Sequence, residues 1–165
     1  MTRAETGGSA PYGFVRGRRL GVDVGQVRVG LAISDPDGIL ATPLLTVQRD
    51  LSTAGTGDTT VPADIARIVQ IVSEHEVREV IVGLPVNLAG RHGPAADAVS
   101  AYVRSLSVAI SPIPVLMTDE RMSTVVASRR LSERGVRGRR QRAVVDQAAA
   151  VEILQSWLDA QRRRM

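Results

Sequence analysis

The chain has 165 residues, and 21 basic against 17 acidic side chains leave a formal charge of +4 and a sequence pI near 10.8. That length suits one domain, and because every base is arginine the balance favours anionic partners. The lack of cysteine excludes a disulfide framework, a thiolate nucleophile and a zinc–thiolate site; two histidines, His75 and His92, cannot build a histidine-rich cage, and four aromatics, Tyr12, Phe14, Tyr102 and Trp157, are too few for base stacking to dominate binding.

Residues 1–17 mix Gly, Pro, Ser and charge without an apolar run, which predicts a flexible tail rather than a secretory signal. No window approaches the roughly 20 apolar residues that span a bilayer, so the expectation is a soluble, cytoplasmic protein with no membrane partner. From Arg19, Leu20, Val22 and Val24 alternate with Gly21 and Asp23, and Gly25-Gln26 turns the chain into residues 28–34. Period-two alternation on both sides of a short turn predicts a hairpin. Its second strand carries a bulky row, Val29, Leu31 and Ile33, and a small row, Gly30, Ala32 and Ser34, so another element must pack closely on the small row.

Asp35-Pro36-Asp37-Gly38 is a turn signal, and residues 39–47 read as a third strand whose Pro43 suits an edge or a bulge. Residues 49–61, rich in Ser, Thr, Gly and Asp, predict a mobile connection. Pro62 opens a helix to about residue 76, with Ile65, Ile68, Val69 and Val72 at helical spacing. Val80-Ile81-Val82 has the apolar continuity of a buried parallel strand and runs into a loop with Asn87, Gly90 and Gly93. A helix over residues 94–108 leads to Val115-Leu116-Met117, the next buried strand, which ends in Asp119-Glu120-Arg121. Ser123 can cap a helix stopping near Gly135; an arginine-rich loop covers residues 136–142, and a last helix covers residues 144–159. This order predicts an α/β domain over residues 18–160 with a mixed five-stranded sheet, an antiparallel three-stranded meander, helices on both faces and a frayed basic tail at 161–165.

Three acids from separate segments can meet. Asp23 ends the first strand and Glu120 follows the last, and the carboxyl ends of parallel strands are where ligands collect in open α/β sheets. Asp146 begins a stripe in the last helix, Asp146, Ala149, Ala150, Ile153 and Trp157, whose alanines let that helix approach Gly21, Gly30 and Ala32. Clustered carboxylates repel unless compensated, and hard divalent cations do so, so two Mg²⁺ or Mn²⁺ ions are expected. Paired ions can activate a water and stabilise the leaving oxygen of a phosphodiester. Each acid also has a plain structural reading: Asp23 shaping a turn, Asp146 favoured by a helix dipole, Glu120 paired with Arg121 or Arg129, or Asp119 serving in its place.

Four blocks, LGVDVGQVRVGLAISDPDGILATPL at 20–44, VIVGLPVNLAGRHGP at 80–94, PVLMTDERMST at 114–124 and VVDQAAAVEILQSWLD at 144–159, together resemble the YqgF/RuvX family of RNase H-like nucleases. The resemblance implies a three-layer RNase H-like fold and an acidic triad at Asp23, Glu120 and Asp146, serving as metal ligands and catalytic groups. It also implies processing of the 5′ end of pre-16S rRNA or resolution of Holliday junctions. Two departures are the tail before Gly17 and a longer connection at residues 51–60.

Residues 121–142 contain eight arginines and one acid, Glu133. Arginine forks bind phosphates bidentately, so Arg121, Arg137, Arg139, Arg140 and Arg142, with Asn87, are candidate nucleic-acid contacts. The expected partner is structured RNA, with branched DNA as the alternative, the protein acting as a monomer or homodimer. Two rivals are a noncatalytic rRNA-binding module and an actin-like or sugar-kinase-like nucleotide domain; the latter requires two such domains and a second phosphate loop.

Overall fold

A computed structural model describes residues 14–52, 57, 59–85, 93–119 and 139–165, and side chains throughout these except at residues 139–142. The elements run β1 (Arg19–Val24), β2 (Arg28–Ser34), β3 (Ala41–Gln48), α1 (Ala63–Glu74), β4 (Glu79–Leu84), α2 (Pro94–Ile110), β5 (Val115–Asp119) and α3 (Arg139–Arg163). They build a five-stranded sheet in the order β3-β2-β1-β4-β5. β1 pairs antiparallel with β2 and parallel with β4, β2 pairs antiparallel with β3, and β4 pairs parallel with β5. This is the mixed sheet and meander that the alternation predicted.

Alternation along the central strands divides the core into two layers. Leu20, Val22, Leu31, Val80 and Val82 pack with Ile65, Ile68 and Ile71 of α1 and with Val99, Val103 and Leu106 of α2. On the opposite face Ala32 and Ile81 pack with Ala149, Ala150, Ile153, Leu154 and Leu158 of α3. The α3 stripe therefore continues through Leu154 and Leu158, while Trp157, expected within it, is only partly buried at its margin.

Pro43 lies on edge strand β3, where the register shifts between Leu31 and Ala32. β3 begins at Ala41 and not at residue 39, because the Asp35 carboxylate accepts the amides of Asp37, Ile39 and Leu40 at 3.0, 2.8 and 2.8 Å. Those donors are committed to the turn and unavailable to the ladder. Asp50, within the connection expected to be mobile, accepts the Ala63 amide at 2.9 Å. It thus caps α1, whose own cap position is Pro62 and makes no side-chain cap bond.

Three expected boundaries change. The tail of 1–17 is too long: the Gly17 amide donates to the Pro36 carbonyl, and Arg19 Nη1 holds the Val15 and Gly17 carbonyls at 2.7 and 2.8 Å. The end is helical rather than frayed, since α3 reaches Arg163 and Arg162 bonds both Asp159 and the Ile39 carbonyl. Finally, α3 starts at Arg139 and not at residue 144, which puts Arg139, Arg140 and Arg142 on a helix instead of in a loop. Arginine and glutamine are good helix formers, and no glycine or proline follows Gly138 to stop them. The helix expected over residues 123–135 lies outside the described residues. Among the described residues no helix is long and apolar enough to cross a membrane.

Candidate active site

Asp23 stands at the carboxyl end of β1, and its neighbours on that face are small. It lies directly opposite Gly30 in the β1–β2 ladder. A Cβ built on Gly30 would fall 2.1 Å from the Asp146 carbonyl oxygen and 3.1 Å from Asp146 Cβ. Directly opposed residues share a face with Cβ positions about 5 Å apart. The absent side chain at Gly30 thus lets α3 rest against the hairpin with Asp146 on the face that holds Asp23. At Gly21, two residues earlier in the same row, an added Cβ would likewise fall 2.7 Å from Leu154 Cβ and 2.8 Å from the Ala150 carbonyl oxygen. The close packing expected from the small row is what brings α3, and Asp146 with it, onto the face that holds Asp23.

Both acids are withdrawn from solvent, Asp23 to 1% exposure and Asp146 to 8%. Arg28 Nε donates to Asp146 Oδ2 at 2.9 Å, an ion pair in which both side chains keep some solvent contact. Arg28 is two residues from Gly30 and so points to the same face of β2. Sequence reasoning missed it, although an arginine ending a row that continues as Gly30 and Ala32, at the hairpin tip beside Asp23, was a readable signal.

Two clamps hold α3 in this register. Gln147, next to Asp146, donates to Thr46 Oγ1 at 3.1 Å, and Thr46 donates to the Ala143 carbonyl at 2.9 Å. Two turns on, Gln155 accepts the Ala41 amide and donates to the Ile39 carbonyl. On the other side of the sheet Arg49 holds the hairpin tip: its amide donates to the Val27 carbonyl at 2.8 Å and its Nη1 to the Gly25 carbonyl at 3.2 Å. Its guanidinium lies 5.2 Å from the Tyr102 ring, and the Tyr102 hydroxyl donates to the buried Asp64 at 3.1 Å. Burial, and then the Asp64 charge, push the Tyr102 phenol well above its ordinary range, so it stays a donor.

Glu120, Arg121, Arg137 and Asn87 lie outside the described residues, as does His92. Arg139, Arg140 and Arg142 belong to α3 within two turns of Asp146. Asp119 ends β5 opposite Leu84, in the row that packs towards α1 and α2, whereas Asp23 belongs to the row facing α3. It is therefore not grouped with Asp23 and Asp146. The donor set fits a hard divalent cation: two carboxylates, both nearly buried, brought from elements distant in sequence and flanked by the Arg28 guanidinium. Among the described residues no group of three or more ligands assembles, the expected third being Glu120. A cavity of about 710 Å³ lined by Phe14, Arg19, Glu79, Pro114 and Trp157 lies at the amino ends of β1, β4 and β5, away from Asp23 and Asp146.

Known proteins are similar along most of their length. The chain is 54% identical over 148 residues to a protein of Rhodococcus erythropolis, covering 90% of this chain and 81% of that one. It is 56% identical over 144 residues to one of Nocardia farcinica, covering 87% and 78%. Both carry the name "Putative pre-16S rRNA nuclease". Among solved structures, Thermus thermophilus RuvC in complex with a Holliday junction superposes with a TM-score of 0.51 at 15% identity, covering 89% of this chain and 96% of that one. A second Thermus thermophilus RuvC structure gives a TM-score of 0.50 at 16% identity, with 88% and 96% covered. That likeness establishes the RNase H-like fold. Residues 17–160 match the family profile described as RuvX, Holliday junction resolvase. The chain belongs to the RuvX family.

Proposed function

We propose that this chain is a metal-dependent nuclease that hydrolyses phosphodiester bonds in structured RNA, acting on the 5′ end of pre-16S rRNA in the cytoplasm. The observation that carries the reading is that Gly30, directly opposite Asp23 in the ladder, receives the Asp146 backbone at the carboxyl end of the central strand. The names of relatives that share more than half of their aligned residues with this chain support the RNA substrate.

In this reading Asp23, Asp146 and Glu120 hold Mg²⁺ or Mn²⁺. Paired ions there would supply an activated water and a counter-charge for the leaving oxygen. The chain's own contribution is placement. β1 and α3 fix two acids in surroundings nearly closed to water, and the Gln147 and Gln155 clamps stop α3 from sliding along β3. Arg139, Arg140 and Arg142, with Arg121, Arg137 and Asn87, contact the nucleic-acid backbone.

With Mg²⁺ or Mn²⁺, the purified protein should trim a pre-16S 5′ leader. Asp23→Asn should reduce cleavage by at least ~100-fold, as for loss of a group that acts in the transition state, with the circular dichroism spectrum unchanged. Equal cleavage by that variant would sink the assignment. A second reading, cleavage of four-way DNA junctions, draws on the family description. Symmetric junction resolution calls for paired sites in a homodimer. Side-by-side rates on junction DNA and leader RNA, with the mass of the protein–substrate complex, separate the two.

A further inference from the structure

On the metal-site reading of Asp23 and Asp146, Arg28 holds one of the ligands with only part of its guanidinium. Its contact with Asp146 uses one nitrogen, Nε, at 2.9 Å. Arginine has five N–H donors, and among the described residues Arg28 spends only that one on a side chain or carbonyl. The two terminal nitrogens, the part of the fork that grips a phosphate, are left over. The pair is also reachable, with 22% of the Arg28 side chain and 12% of the Asp146 side chain exposed.

The guanidinium and a divalent cation need the same acceptor. Arg28 occupies Asp146 Oδ2, on the face where Asp23 also points. A cation taking that oxygen must displace Nε, and the released guanidinium remains at the hairpin tip, at the end of the sheet where a phosphate would approach. Conversely, a phosphate that draws Arg28 away removes its hold on Asp146 Oδ2. We propose that Arg28 is an exchangeable counter-ion, holding Asp146 in the resting protein and passing to a backbone phosphate when nucleic acid binds, so that nucleic acid and divalent metal strengthen each other's binding. Linkage makes the effect reciprocal: whatever factor RNA adds to metal affinity, metal adds to RNA affinity. Arg28 is then a positioning residue for Asp146 before binding and a substrate contact after it.

Direct Mn²⁺ binding to the full chain, followed by electron paramagnetic resonance and calorimetry, tests this without relying on turnover. The nucleic-acid probe is a short RNA duplex with phosphorothioate linkages that resists cleavage. The wild type should bind Mn²⁺ about tenfold more tightly with the duplex present, within the usual span of coupling factors. Arg28→Met should bind Mn²⁺ without RNA about as tightly as the wild type does with RNA, and RNA should add nothing further. Arg28→Lys keeps the charge and should retain the weaker resting affinity.

Arg28→Met binding Mn²⁺ no more tightly than wild type, or keeping the full RNA-dependent gain, would overturn the exchange. So would Arg28→Lys behaving as Arg28→Met, because the charge would then not be the cause. Asp146→Asn, measured alongside, separates the two levels. If the wild type takes up no Mn²⁺, or Asp146→Asn binds it as tightly, the metal-site reading itself fails. If Asp146→Asn loses Mn²⁺ and only the Arg28 variants disagree, the exchange fails and the site stands.

Discussion

At the scale of single residues, the smallest side chain in the site has the largest consequence. A Cβ at Gly30 would overlap the Asp146 backbone, with nothing flexible to yield. Gly30→Ala should therefore displace α3, at a cost of about 1–3 kcal/mol for overpacking. It should also lower cleavage by at least ~10-fold, because shifts near 1 Å at a reacting centre cost about that or more. Gly21→Ala meets the helix two residues further from the acids and should lose comparable stability with a smaller loss of activity; urea unfolding and cleavage rates on both variants check the contrast. Asp35 is a second single-residue case. Desolvation pushes its carboxyl up, but the amides of Leu40, Ile39 and Asp37 together outweigh this and hold it below its ordinary 3.8. A depressed carboxyl contributes stability that is fully present above the unfolded value and is lost as pH falls through the folded one. The stability gap between wild type and Asp35→Asn should stay constant above pH 3.8 and shrink below it, as read from urea midpoints at successive pH values. Asp35 was legible as a turn-former, and Ser34 beside it ties the turn to β1: its Oγ accepts the Arg19 amide and donates to the Asp35 carbonyl.

At the scale of elements, α1 and α2 meet through a buried polar contact that period and propensity could not announce. Asp64 is 2% exposed and Tyr102 is 6% exposed, and Asp64 Oδ1 has no hydrogen-bond partner among the described residues. Tyr102→Phe would remove the donor to Oδ2 as well, which should cost about 1–3 kcal/mol. Adding Asp64→Leu should recover most of that loss, because replacing both partners leaves no buried polar atom unsatisfied. Chemical denaturation of the two single variants and the double variant gives the cycle. Arg49, packed over Tyr102 and bonded to the Gly25 carbonyl, connects this contact to the turn that follows Asp23. The hairpin, α1, α2 and the edge position of β3 were all readable, because each shows a period or a breaker in its own residues. The true start of α3 was not: Gly135 and Gly138 made the arginine run look like a loop, whereas helix propensity prevailed after Gly138.

At the scale of the whole molecule, the charge of +4 is unevenly distributed. Residues 1–120 hold 10 arginines and 13 acids, a balance of −3, whereas residues 121–165 hold 11 arginines and 4 acids, a balance of +7. Binding of phosphates by such a region releases condensed counterions, so affinity should weaken as salt rises. Replacing Arg139, Arg140 and Arg142 with Gln should weaken binding about equally across RNA sequences. It should also flatten the plot of log affinity against log salt by roughly 1 for each phosphate that is no longer neutralised. A slope equal to that of the wild type would remove these three arginines from the interface.

The amino-acid sequence by itself determined the order of the described elements, the small row on the hairpin and the basic C-terminal region, and named three acids as candidates, because each is written in neighbouring residues. Only the tertiary structure decided that Asp23 and Asp146 share one face while Asp119 belongs to the other row, that Arg28 reaches Asp146, and that residues 14–17 and the end of α3 are bound to the body. Those facts depend on strand register and on how closely α3 settles on Gly21 and Gly30. The settling of α3 is set by contacts between residues more than a hundred positions apart in the chain, and the pairing of β1, β4 and β5 by residues well beyond the reach of any local pattern.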